Sequence, residues 1–343
     1  MKMDDRKFMI LQAIIDDYIM TAVPVGSRTI SRKSGVGFSP ATIRNEMSDL
    51  EELGYLDQPH TSAGRIPSAM GYRFYIDRLM RVPLLTRQEQ SYVDSVLQPN
   101  AFDPEKLLGS ATEVIAELTR MAAVATTPSG SSAVIRGVQF VQVGRRTAMI
   151  LLMSSAGTIK SRIFHCDFDL SQDVLRVFFR LLNGKLAGRP VSSITPAFVQ
   201  SLLASFGEMA VLMSSALRAL LDVVNDTIWT RVCLSGQMNL LYYPEYDRSS
   251  ARRVMDLLER PRDVVSLLQQ DPGTVRVRVG PETRCPELVD SSLVTVRYRV
   301  GNEDAGGMAV IGPMRMDYGK TTAVLSYVSD SVSQMLTTLL REQ

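Results

Sequence analysis

Two adjacent polar residues, Arg44 and Asn45, carry side chains that proteins use to contact DNA bases. An arginine guanidinium can donate two hydrogen bonds to guanine, and an asparagine amide can both donate to adenine and accept from it. Both residues lie near the start of the segment SPATIRNEMSDLEELG (39–54). The apolar residues of this segment recur at helical spacing: Ile43, Met47, Leu50 and Leu53. The sequence therefore predicts a helix that presents Arg44 and Asn45 from its first turns.

The charges of this segment run against the helix dipole. Its last turns carry Asp49, Glu51 and Glu52, although the dipole favours acids at the start of a helix. DNA would repel these acids, so we interpret the order as favouring contact through the N-terminal turn, where backbone amides attract phosphate. The alternative is an ordinary solvated face, which amphipathic helices that bind no DNA also have.

Histidine and cysteine offer little for catalysis or metal binding. The sequence has two histidines, His60 and His165, and the run His165, Cys166 and Asp167 is the one cluster that could suggest a metal. Adjacent residues of a strand point to alternate faces, which makes a poor tetrahedral site. No P-loop, Ser-His-Asp pattern or G-x-G-x-x-G motif occurs. We therefore expect no enzymatic activity, no cofactor and no metal.

Composition indicates an ordinary globular protein of two or three domains. The 343 residues are 45% apolar and 22% charged, with a formal net charge of +2. No apolar run reaches the roughly 18 residues that a membrane span needs. Three widely spaced cysteines imply no disulfide framework, and the N-terminus lacks the basic and apolar regions of a signal peptide. We expect a cytoplasmic protein that does not associate with membranes.

The segments around residues 39–54 predict the order helix, helix, tight turn, helix, hairpin, helix. A first helix covers about 4–20, and Ser27 is expected to cap a short second one. Ser39 followed by Pro40 marks the start of the third, and a polar hairpin follows Gly54. This order is typical of a winged helix-turn-helix, in which the third helix lies in the DNA major groove.

The residues expected to contact DNA come from the second helix, the third helix and the hairpin. They are Ser27, Arg28, Thr29, Ser39, Thr42, Arg44, Asn45, His60, Thr61, Ser62 and Arg65. Arg44 is expected to contact a base, and Arg65 to contact phosphate or the minor groove.

The rest of the chain predicts an α+β sheet domain with an insertion. Residues 81–132 are predicted to be a helical connector, with an apolar stripe of near-heptad spacing at 107–121 that is either packed within the chain or a dimer seam. Strand patterns occupy 133–166 and much of 228–343, and a helical block lies between them. The predicted domains are therefore 1–80, 81–132, 133–166 with 228–343, and an inserted 167–227.

Several long motifs resemble the heat-inducible transcription repressor HrcA family. They are VPVGSRTIS (23–31), SPATIRNEMSDLEELGYLDQPHTSAGRIPS (39–68), GYRFYID (71–77), VQFVQVG, GQMNLLYYPEY, LVDSSLVTVRYRVG and IGPMRMDYGKTTAVLSYVS. The resemblance spans nearly the whole chain. It implies a multidomain α/β (α+β) fold: an N-terminal winged helix-turn-helix, then a GAF-like α+β sheet domain interrupted by a helical inserted dimerisation domain.

The resemblance also implies a function. It implies binding, as a homodimer, to an inverted-repeat operator in double-stranded DNA upstream of chaperone operons. It also implies repression of those operons and a chaperonin partner, GroEL, that keeps the repressor active. Two alternatives remain open from the residues alone. The GAF-like domain could sense a small molecule that changes DNA affinity, or the winged helix could serve only as a protein-interaction module.

Overall fold

The structure is a computed structural model, and it describes residues 4–33, 35–60, 64–128, 133–207, 209–228, 230–269 and 274–341. The first elements in chain order are α1 (Asp5–Thr21), α2 (Ser27–Ser31), α3 (Pro40–Glu52), β1 (Leu56–Asp57), β2 (Ile66–Pro67) and α4 (Ala69–Phe74), which continues as a π-helical turn to Leu79. This is the element order of a winged helix-turn-helix, so that prediction is confirmed.

Local signals account for the ends of these helices. The Asp4 carboxylate caps α1, and Ala22 ends it in the left-handed conformation. Ser39 caps α3 with Pro40 at its first position, as predicted. The prediction that Ser27 caps α2 is wrong. Gly26 occupies the cap position and Ser27 is the first helical residue.

The wing is a short antiparallel hairpin docked on the start of α2. Strands β1 and β2 pair through Leu56 with Pro67 and Asp57 with Ile66. Next to β2, the backbones of Val25 and Arg65 exchange two hydrogen bonds of 2.9 Å. This approach requires glycine at position 64, because a Cβ there would lie 2.4 Å from the Val25 carbonyl oxygen.

The other α-helices and strands of the described residues belong to two further sheets and the helices packed on them. In chain order they are α5 (Arg87–Leu97), α6 (Pro104–Thr119), β3 (Ala122–Thr126), β4 (Ile135–Gln142), β5 (Thr147–Ser154), β6 (Ile159–His165), α7 (Gln172–Leu186), α8 (Pro196–Ser205), α9 (Met209–Ile228), β7 (Val232–Ser235), α10 (Arg248–Leu258), α11 (Pro261–Gln269), β8 (Arg276–Val279), β9 (Ser291–Val300), β10 (Glu303–Pro313) and α12 (Tyr318–Arg341).

One antiparallel sheet has the strand order β7-β3-β10-β9-β8. Successive residues of β3 alternate between its two faces, as expected for a strand. Ala123 and Ala125 pack with the apolar sides of α6 and α12, whereas Ala122 and Val124 pack with α10 and α11. The mixed, multidomain α+β class predicted from the sequence is therefore confirmed.

The segment predicted to be a helical connector is instead part of this sheet domain. Residues 81–132 contain β3, the strand that lies between β7 and β10. Helix α6 covers the sheet, and Leu107, Ala111 and Val114 of its apolar stripe are fully buried within the chain. The stripe is therefore intramolecular packing rather than a dimer seam.

The predicted boundary of the insertion is wrong. Strands β4, β5 and β6, within residues 133–166, form a separate three-stranded sheet instead of joining the strands of 228–343. Ile150 and Phe164 of this small sheet share a buried core with α7, α8 and α9. The described residues of that core all lie between 133 and 228. The inserted unit is thus mixed α+β and begins some thirty residues earlier than expected.

Candidate nucleic-acid interface

Helix α3 buries one face and exposes the other. Ile43, Met47 and Leu50 lie in the core of the winged helix. Arg44 and Asn45 are both exposed, as predicted. The exposed face comprises Ala41, Arg44, Asn45, Ser48 and Glu52, which follow helical spacing along one side. The side chains suited to base contacts therefore project from the second turn of α3 into solvent.

The N-terminus of α3 offers few backbone amides to a phosphate. Pro40 has no N–H, and the Thr42 N–H donates to Ser39 Oγ at 3.1 Å. The Ile43 N–H donates to the Ser39 carbonyl at 2.9 Å. The Ser39 and Thr42 hydroxyls also share a hydrogen bond of 2.9 Å. These two side chains thus stabilise the helix start, and the contacts available to DNA shift to Arg44 and Asn45.

The other predicted contact residues divide by exposure. Arg28 and Thr29 of α2 are exposed, whereas Ser27 is buried against the core. His60 is exposed in the wing. Thr61 and Ser62 lie outside the described residues. The candidate DNA surface therefore comprises the exposed side of α2, the exposed face of α3 and the described part of the wing.

Arg65 has an intramolecular partner. Its Nη2 lies 2.7 Å from Glu51 Oε2, and its side chain is only 18% exposed. The pair connects the wing to the C-terminal turn of α3. The observed role of Arg65 is therefore to hold the wing against α3, and a DNA phosphate could bind it only by competing with Glu51.

Two acids of α3, Glu46 and Asp49, have basic partners on α1. Lys7 Nζ lies 2.7 Å from Glu46 Oε2 and 3.0 Å from Asp49 Oδ2, and Arg6 Nη1 lies 3.2 Å from Glu46 Oε1. Hydrogen bonds to Glu46, the larger contribution, and to Asp49 raise the pKa of the Lys7 ammonium. The charge order that opposes the helix dipole thus also serves to attach α3 to α1.

Sequence reasoning did not find the Lys7–Glu46 pair, although a signal was present. Lys7 lies one turn before Ile10 on the apolar stripe of α1, and Glu46 lies between Ile43 and Met47 on the buried side of α3. Charges of opposite sign on two apolar stripes suggest a buried ion pair, because an unpaired charge there would be costly.

The described residues show neither a cluster of metal ligands nor a helix able to span a membrane. Across the described ranges, no three histidine, cysteine or acidic side chains converge as metal ligands would. His165 is exposed and Cys166 is buried, so the run at 165–167 does alternate between faces. None of the helices described here has the length and hydropathy to cross a bilayer.

A winged helix with an exposed Arg-Asn pair on its third helix, joined to an α+β region, defines the class of DNA-binding transcription regulators. Comparison with known proteins gives the family. Residues 105–322 match the family model described as HrcA protein C terminal domain. The "Heat-inducible transcription repressor HrcA" of Symbiobacterium thermophilum is 39% identical over 335 residues, covering 97% of this chain and 98% of the relative.

Two further comparisons agree. The protein of the same name from Acetivibrio thermocellus is 35% identical over 344 residues, covering 99% of this chain and 98% of the relative. A crystal structure of a hypothetical protein at 2.2 Å has the same fold, with a TM-score of 0.69 and 24% identity over 98% of this chain and 100% of its own. The chain belongs to the HrcA family.

Proposed function

We propose that the protein binds an inverted-repeat operator upstream of chaperone operons as a homodimer and represses them. Family membership makes the chain a DNA-binding transcription repressor of heat-shock genes. The observation that carries the proposal is the exposure of Arg44 and Asn45 on a helix whose opposite face is buried. We propose no catalytic role and place the protein in the cytoplasm, where its DNA target lies.

An open face of the small sheet supports dimerisation through the inserted unit. Helices α7 and α9 cover one side of β4–β6, and the other side presents a cross-strand row of Val141, Met149 and Ile163. A second row contains Met153 and Ile159. Ile159 and Ile163 are 61% and 60% exposed in the single chain. Apolar patches of this kind are typical of protein interfaces, and self-association would cover this one.

Long-range strand pairing supports dependence on the chaperonin GroEL. Strand β3 pairs with β10 through Ala125 and Met308, and with β7 through Ala125 and Cys233. The whole inserted unit separates β3 from β7 in sequence. Sheets with such non-local contacts fold slowly and leave apolar segments exposed meanwhile. A repressor that needs the chaperonin to fold would lose activity when unfolded proteins occupy that chaperonin.

DNA binding is tested by fluorescence anisotropy with promoter fragments of chaperone operons from the same genome. We expect the full-length protein to prefer a fragment with an inverted repeat over a scrambled fragment by at least about a thousandfold at physiological salt. Equal affinity for both would refute operator recognition. Ligand sensing by the sheet domain gains no support from the named relatives.

The dimer surface is tested by sedimentation of Ile163→Asp. A carboxylate at the β6 end of the apolar row should convert the dimer to monomer, because its burial would be unfavourable. Val211→Asp is the matched control, since Val211 is also exposed but lies on α9 rather than on the open sheet face. A dimeric Ile163→Asp variant would place the interface elsewhere.

Chaperonin dependence is tested with freshly purified full-length protein. Addition of chaperonin and nucleotide should raise the fraction that binds operator, and excess unfolded client should cancel the gain. If only a tenth of the protein were active, its apparent affinity would be about tenfold too low. A fully active protein that does not respond to chaperonin would refute this part of the proposal.

A further inference from the structure

Arg315, which lies between β10 and α12, bonds the winged helix to the sheet domain beside the apolar core that the two share. Its Nη1 donates a hydrogen bond of 3.1 Å to the carbonyl oxygen of Ile19, in the last turn of α1. The same guanidinium forms an ion pair with Glu245 and lies over the Tyr243 ring, 5.3 Å from its centroid. The Arg315 side chain is 13% exposed.

This contact completes the C-terminus of α1. The last carbonyls of a helix have no partner within the helix, and the dipole there favours a cation. The last turn of α1 carries no basic residue of its own. The Ala22 N–H donates to the Tyr18 carbonyl at 2.9 Å, and Arg315 supplies a donor and a positive charge to Ile19. A residue almost three hundred positions away thus caps α1.

The other end of α1 carries the recognition helix. Lys7, in the first turns of α1, forms the buried ion pair with Glu46 of α3. A helix rises about 1.5 Å per residue, so the 17 residues of α1 make a rod of about 25 Å. The position of Arg315 is therefore transmitted along α1 to the helix that carries Arg44 and Asn45.

A second arginine, Arg73 of α4, also bonds the winged helix to the sheet domain. Arg73 of α4 donates from Nε to Glu282 Oε1 at 2.9 Å and from Nη2 to the Val277 carbonyl at 2.6 Å. Glu282 is itself held by the Val279 N–H at 2.9 Å. The forked geometry of arginine makes such a contact directional. Two arginine contacts on different helices thus add directional bonds to the apolar core that joins the winged helix to the sheet domain, where the Tyr72 and Tyr318 ring centroids lie 5.9 Å apart.

We infer that Arg315 is a positioning residue for operator recognition. It contacts no DNA. It holds α1, and through α1 the recognition helix α3, at the orientation that lets two copies of the chain reach both half-sites together. The inference rests on the proposed binding of an inverted repeat by a dimer, because only paired half-sites are sensitive to this orientation.

The test measures affinity for a series of duplexes. The series contains the inverted repeat at its natural spacing, repeats with one to five base pairs added or removed, and a single half-site. Full-length wild type is compared with Arg315→Ala, Arg315→Lys and Arg299→Ala. The last is the matched control, since Arg299 pairs with Asp304 at 3.0 Å within the β9–β10 hairpin and does not join the two domains.

Wild type and Arg299→Ala should bind the natural spacing best by a wide margin. Arg315→Ala should bind the single half-site within about twofold of wild type, but the natural operator about tenfold more weakly, because part of the gain from paired binding is lost. Its dependence on spacing should be flatter. Arg315→Lys should restore part of the preference, since an ammonium can still donate to the Ile19 carbonyl.

An unchanged spacing profile in Arg315→Ala would overturn the inference, and so would an equal loss on the single half-site. If Arg315→Ala does not fold, Glu245→Gln carries the same test, because it loosens Arg315 without removing a large side chain. Failure of the dimer proposal looks different, since wild type would then show no preference for paired half-sites.

Discussion

Lys7 and Glu46 form an ion pair of 2.7 Å between α1 and α3, with side chains only 7% and 11% exposed. Each belongs to an apolar stripe, so neither charge has solvent as an alternative partner. Helix α3 is therefore held not only by apolar packing but by a charged contact with a single favourable geometry.

Removal of one partner of the Lys7–Glu46 ion pair should destabilise α3 much more than removal of both. Lys7→Ala leaves Glu46 buried with only Arg6 as a partner, and we expect α3 to lose about 3 kcal/mol of local stability. The double variant Lys7→Met, Glu46→Leu should lose about 1 kcal/mol or less, since it restores apolar packing. Native-state hydrogen exchange of the α3 amides in the full-length chain measures both. Equal losses would show that Glu46 carries no penalty when Lys7 is removed, which would contradict a costly unpaired charge at this site.

Arg44 should affect specific binding more than general binding. Arg44→Ala is expected to cost about 1–3 kcal/mol on the operator and much less on random DNA, because a base contact contributes only where the correct base is present. Anisotropy titrations on both DNAs measure the difference. Similar losses on operator and random DNA would assign Arg44 to phosphate instead.

Substitution of Arg65, in the same winged helix, should affect stability rather than DNA specificity. The sequence alone predicts that Arg65→Ala weakens binding to all DNA and lowers the salt slope by about one unit. The structure pairs Arg65 with Glu51, so we now expect a change in the stability of the wing and a salt slope close to that of wild type. Thermal unfolding and titrations at several salt concentrations separate the two outcomes. A slope reduced by one unit would restore the phosphate role.

The inserted unit should be removable as a whole but not in part. The Thr127 N–H donates to the Arg231 carbonyl at 2.9 Å, so the two ends of the insertion lie together. Replacement of residues 128–230 by Asn-Gly should therefore join β3 and β7 as a hairpin and leave a folded chain. Deletion of 167–227 should aggregate, because it removes the helices that cover Ile150 and Phe164. Circular dichroism and sedimentation distinguish the products. A well-folded 167–227 deletion would contradict the assignment of β4–β6 to the insertion.

Glu89 should give the protein a specific sensitivity to acid. Its ion pair with Lys320 and its capping contacts with Thr86 lower the pKa of the Glu89 carboxyl from 4.5 to about 2. Because the pKa of Glu89 is lower in the folded protein than in the unfolded chain, its ionised form stabilises the fold. This stabilisation is complete above pH 4.5 and is lost as the pH falls toward 2.

The corresponding variant is Glu89→Gln. Its melting temperature should lie below that of wild type at pH 7, and the gap should close between pH 4.5 and 2. Glu113→Gln is the control, since Glu113 is exposed on α6. A gap that stays constant over this range would show that the Lys320 contact does not depend on the charge of Glu89.

The sequence by itself determined the winged helix, because its signals are local. Ser39 and Pro40 start α3, Gly54 follows its end, and the apolar spacing of 43–53 defines its buried face. The exposure of Arg44 and Asn45 follows directly, since residues on the side opposite an apolar stripe face solvent. Neither result requires knowledge of a distant segment.

Only the tertiary structure decided which sheet each strand joins. The strands of 133–166 have the same alternating pattern whether they pair with one another or with 228–343, so periodicity could not separate the two arrangements. The partners of Arg65 and Arg315 were hidden as well, and for Lys7 the apolar stripes of α1 and α3 gave a signal without proving the contact. Each of these charges is satisfied by an acid or a carbonyl far along the chain, and only folding brings such groups within hydrogen-bonding distance.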